Sequence, residues 1–130
     1  MKRITIAGLA LVLAACPALA RDIDFSTQLR EYDGKPVVDS QGKPVDMSLG
    51  SLCAKALLAN YPDEQNLKPE DKYARGKMVD RLFDKHGEPA KNVYLSADDV
   101  AKLKALVGKA YPPLIVRQAW DLLDPPPDAK

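Results

Sequence analysis

The chain is poor in the residues that carry most enzyme chemistry. It has one histidine, His86, in 130 residues. A single imidazole excludes any metal site built on two or more histidines. It has two cysteines, Cys16 and Cys53. With one tryptophan and two phenylalanines, aliphatic side chains must supply most of the core. No apolar run reaches the roughly 20 residues that a membrane-spanning helix needs. Neither sign of charge dominates, with 19 basic and 18 acidic residues, so there is no electrostatic reason to expect nucleic-acid binding. What remains is enough for one domain with a modest core.

The first twenty residues read as an export signal. Lys2 and Arg3 make a basic start, residues 4–15 an apolar stretch, and Ala18-Leu19-Ala20 a small-x-small cleavage site. The alternative is a buried N-terminal helix. Cutting after Ala20 removes two basic and no acidic residues and leaves 17 basic against 18 acidic, about −1. A second cut is written into the same stretch. Leu13-Ala14-Ala15-Cys16 fits the lipobox of bacterial lipoproteins, which makes Cys16 a lipidation candidate and a lipid anchor the alternative to soluble export. Cleavage at Ala20 leaves Cys53 alone, so no internal disulfide can form. Cys53 is then a small hydrophobe on a helix face; the other readings are a reactive thiol or an intermolecular bridge.

Residues 24–32 alternate moderately and predict a short, half-exposed strand. Asp33-Gly34 signals a turn. An echo follows, Gly34-Lys35-Pro36-Val37 and Gly42-Lys43-Pro44-Val45, in which each glycine opens a turn and each proline confines its strand to an edge. The Gly-Lys pairs lack the rest of a phosphate-loop pattern. Ser48 caps a helix whose Leu49, Leu52, Cys53, Ala56, Leu57 and Tyr61 fall at helical spacing, ending near Pro62. Pro69 opens the next helix, in which Ala74, Met78, Leu82 and His86 share a face and Gly87 marks the stop. Val93-Tyr94-Leu95 adds a short strand.

Residues 96–123 predict two helices joined by a Tyr-Pro-Pro elbow. Ser96 is an N-cap, with Asp98 and Asp99 in the first turn. Pro112 stops the first helix, and Pro113 suits the first turn of the second. Trp120 is expected in the core beside Val116 and Leu123, with Arg117 and Asp121 paired outside. The expected fold is α+β: a small N-terminal β-hairpin or meander packed beside about four short helices. Residues 21–124 make a single small domain, and 125–130 a Pro-rich disordered tail.

Chemistry has few footholds. Cys53 and His86 could form a nucleophile–base pair if the fold brought them together, the basis of a small Cys/His hydrolase reading. Glu70-Asp71 and Asp98-Asp99 are explained by helix starts. Asp63-Glu64 lacks calcium-loop spacing. Tyr73, Arg75, Lys77 and Arg81 suggest a basic, partly aromatic helix side, a solvated face or a partner-binding one. No catalytic, metal or cofactor residues are expected.

Three stretches carry a resemblance. They are Asp33-Gly34-Lys35-Pro36 with Gly42-Lys43-Pro44, the helix at 49–61 leading into Pro62-Asp63-Glu64, and Leu106-Val107-Gly108-Lys109-Ala110-Tyr111-Pro112-Pro113-Leu114 continuing through Gln118-Ala119-Trp120. In these the chain resembles a group of small uncharacterised proteins of tailed phages and prophages, here preceded by an export signal. The resemblance implies a small interaction protein of phage origin and no catalytic motif. The expectation is a non-enzymatic binding module in the periplasm, or secreted, with a protein partner, no nucleic acid and no membrane span.

Overall fold

The computed structural model describes residues 19–126. Cys16 and most of the expected signal peptide lie outside the described residues, as do the last four residues of the proline-rich tail. The class is α+β, with four helices and a two-stranded antiparallel sheet among the described residues. In chain order these are β1 (Arg21–Ile23), α1 (Leu49–Leu58), a single 3₁₀ turn (Pro62–Glu64), α2 (Pro69–Leu82), β2 (Val93–Leu95), α3 (Ala97–Ala110) and α4 (Pro113–Leu123).

Helix α1 is the hub. Ser48 caps it by accepting from the Ser51 N–H. Leu49, Leu52, Cys53, Ala56 and Leu57 are buried on it. α2 and α3 both pack against α1 and hardly touch one another; α4 packs on α3. The remaining core comes from Phe25 and Leu29 before α1, Met78 and Leu82 on α2, Leu95 on β2, Val100, Leu103 and Val107 on α3, and Ile115, Ala119 and Leu123 on α4.

The start of α1 is where the N-terminal segment docks. A helix start leaves N–H groups without intrahelical partners. Here the Thr27 carbonyl accepts from Leu49 N–H and the Phe25 carbonyl from Gly50 N–H, both at 2.8 Å. That close approach needs glycine: a β-carbon at Gly50 would stand 3.2 Å from the Phe25 carbonyl oxygen and 3.1 Å from the Pro89 side chain.

The strand expected over 24–32 does not form. The strand lies just before it, with Arg21, Asp22 and Ile23 paired to Leu95, Tyr94 and Val93. Asp24 ends it, because its carboxylate accepts the Ser26 N–H and hydroxyl and turns the chain. Beyond it only isolated bridges remain, Gln28 with Ser48, Arg30 with Pro36 and Val38 with Pro44.

The echo at Gly34 and Gly42 is a closed loop made three times. In the second, Asp39 N–H donates to the Lys43 carbonyl and Gly42 N–H to the Asp39 carbonyl. Gly42 sits at φ 80°, the left-handed conformation that a turn-plus-bulge loop requires. The same two bonds recur at Glu31, Gly34 and Lys35, and again at Asp84, Gly87 and Glu88. The third copy corrects the reading of α2. That helix ends at Leu82; Phe83 is already extended, and His86 stands exposed at a loop tip. The Asp84 carboxylate accepts from the His86 and Glu88 N–H groups, offering the backbone a better arrangement than another helical turn.

The C-terminal pair matches its local signals. Ser96 and Asp99 form a capping box, and Pro113 occupies the first turn of α4. Trp120 is the exception. It is 38% exposed and outside the core. The inward line of α4 is Ile115, Ala119 and Leu123, so small Ala119 faces the core. The indole lies across α3 instead, with Nε1–H donating to the Lys104 carbonyl at 3.0 Å and Lys104 Nζ 4.6 Å from the ring centre. Arg117 and Asp121 pair outside at 3.9 Å, as expected.

Candidate functional site

Because α2 and α3 both pack on α1 and hardly touch each other, a gap opens between them. Its floor is Leu57 with Met78 and Leu106, its walls carry Ala74 and Ala105, and it encloses about 290 Å³. A second groove of about 630 Å³ lies on the other side of the α1–α2 connection, lined by Leu57, Leu58, Tyr61, Leu67 and Lys72. Glu64 and Arg75 line both.

Glu64 is the centre of an ion cluster. The Arg75 guanidinium donates to both carboxylate oxygens, at 2.8 and 2.9 Å. Lys109 Nζ, from α3, lies 3.0 Å from Glu64 and 3.1 Å from Asp63. The same ammonium sits 4.7 Å above the Tyr61 ring centre. Hydrogen bonds from Arg75, then Lys109, push the Glu64 carboxyl down to about 2. Tyr61 hydroxyl donates to the Ala56 carbonyl at 2.6 Å. No local motif announces this cluster. Asp63-Glu64 was the visible part; its cations come from two other helices.

The structure divides the four partner-binding candidates. Tyr73, Lys77 and Arg81 recur every four residues along α2, and Tyr73 is exposed. Arg75 is turned away from them and held by Glu64. Arg81 is engaged by Asp99 at 3.2 Å and donates to the Tyr94 carbonyl. Glu70 and Asp80 fall on the same side at helical spacing. The face therefore mixes both signs and is not a basic stripe.

The turn-rich segment offers a different surface. No side chain from residues 30–47 is buried. It presents Tyr32, Val38 and Val45 to solvent. It is nonetheless fixed: Gln118 on α4 accepts from the Arg30 N–H at 2.9 Å and donates to its carbonyl at 2.7 Å. At its other end Gln28 accepts the Met47 N–H.

Cys53 and His86 are not brought together. Cys53 is sealed in the core, where burial pushes its thiol up to about 12, while His86 is exposed. Among the described residues, no three His, Cys, Asp or Glu side chains are grouped to hold a metal ion. Nor is any helix among them long and apolar enough to cross a membrane. Comparison with protein-family models, curated proteins and solved structures gave no match.

Proposed function

We propose that the chain is an exported, non-enzymatic interaction protein of phage origin that works in the periplasm through a protein partner. The observation that carries the reading is the segment 30–47. A domain of this size has little apolar surface to spare. Here a long stretch sends only Met47 part-way into the core, is held in a fixed shape, and shows Tyr32, Val38 and Val45 to solvent. Exposed apolar side chains on a fixed scaffold suit partner capture, because little entropy is lost on binding. The α2 face through Tyr73, Lys77 and Arg81 is the second surface; its mixed charge suits a solvated role.

Two measurements test this. Mass spectrometry of the protein recovered from a bacterial envelope should find an N-terminus at Arg21. Intact Met1 would refute export, and an acylated Cys16 would move the protein to the lipid-anchored alternative that the Leu13–Cys16 string supports. A photo-crosslinker placed at Tyr32 should then trap a discrete partner that Val38→Ser/Val45→Ser abolishes. Crosslinks only from Tyr73 would transfer the binding role to α2.

A further inference from the structure

The two grooves are neighbours that meet at the connection 62–68. Leu57, Glu64, Leu67 and Arg75 line both of them. No side chain in 62–68 is buried, so none must leave the core for this segment to move. Its backbone makes few internal bonds, Glu64 N–H to the Tyr61 carbonyl and Leu67 N–H to the Glu64 carbonyl. What secures it is ionic. Glu64 is gripped by Arg75 of α2 and Lys109 of α3, and Asp63 by Lys109. The flanks are firm. Tyr61 is tied to the Ala56 carbonyl, and Pro69 begins α2.

We propose that residues 62–68 are a strap that opens as a local unit at the Glu64 clasp, joining the two grooves into one channel floored by Leu57, Met78 and Leu106. Segments with few buried contacts open at lower free energy than the whole fold. Tyr61 and Pro69 are the hinge points, because backbone restraints change there. Opening uncovers aliphatic surface and leaves α1 in place. The inference is independent of the export reading and of the role given to 30–47. The depressed Glu64 carboxyl sets the acid limit. A lowered folded value means that the clasp contributes fully above the ordinary 4.5 and is lost as pH falls toward about 2.

Native-state hydrogen exchange on the full chain tests the strap. Glu64→Gln keeps the shape and removes the charge. Amides 64 and 67 should exchange at least about tenfold faster, while those of α1 around Leu57 keep their rates. Fluorescence of an apolar dye should rise with a single cooperative melt retained. Should Glu64→Gln not fold, Arg75→Gln, which removes the bidentate partner of Glu64, gives the same reading. Selective acceleration at 64 and 67 supports the strap. Equal acceleration in α1, or none at either place, overturns it.

Discussion

Residues 30–47 and helix α1 are neighbours in the chain and opposite in how they are held. Seven of the ten residues of α1 are buried. None of 30–47 is. The helix is fixed by removing apolar surface from water, the segment by closing its backbone on itself in two turns and bonding it to Gln28 and Gln118. The first kind of order is shared with the whole fold; the second is local. Damage to α1 should therefore unfold the protein, and damage to the segment should stay where it is made.

Phe25, ahead of the segment, docks on the start of α1 and is the sharpest test of order shared with the whole fold. It is fully buried, and its carbonyl meets the start of α1. Phe25→Ala should cost about 3–5 kcal/mol by urea unfolding, a large share of the ~5–15 kcal/mol that holds a domain. A loss below about 1 kcal/mol would show that the residues just before the segment are not tied to the core through Phe25.

Alkali should weaken the whole fold through the core that α1 shares. Burial raises the Cys53 thiol from 9.0 to about 12. The unfolded chain then ionises first, so stability present below about pH 9 falls as pH rises toward 12. The loss is about 1.4 kcal/mol per pH unit. Tyr111, also raised to about 12 by burial, acts in the same direction. Urea midpoints from pH 8 to 11 should show the slope, and Cys53→Ala should flatten part of it.

Trp120→Ala should cost about 1–2 kcal/mol, less than a sealed aromatic, because the indole is partly exposed and its gain is a hydrogen bond and a cation contact. A drop as large as that of Phe25→Ala in a thermal melt would place it in the core after all. Gly42→Ala should cost least, about 1 kcal/mol, for the left-handed backbone alone. A β-carbon there meets nothing within 4 Å. Amide shifts should change only within 37–45; changes in α1 would break the contrast between the regions.

Legibility followed the range of the forces. The caps at Ser48 and Ser96 and the Pro112-Pro113 elbow are local chemistry and were readable residue by residue. The β1–β2 pairing joins segments some seventy residues apart and leaves no local trace. His86 continued an apolar spacing that the Asp84 loop interrupts; the signal was there in Asp84-x-x-Gly87-x-Pro89, which repeats the spacing of Asp39, Gly42 and Pro44. Trp120 misled because its spacing from Val116 and Leu123 suggested a shared inward face, whereas the inward line runs one position earlier, through Ile115, Ala119 and Leu123. Of the grooves and their clasp only Asp63-Glu64 showed, since Arg75 and Lys109 arrive from other helices.

Arg21, the first residue of β1, reaches Asp124 just past the end of α4, at 3.1 Å. Entry and exit of the folded stretch thus share one doorway. Such a body can be threaded into a surface loop of an unrelated host as a guest, or have its ends sewn together and a new opening cut elsewhere. The natural place for that new opening is the tip around Gln41, where the break cuts no helix or strand. The gap a host must offer is set by one arginine side chain and one carboxylate.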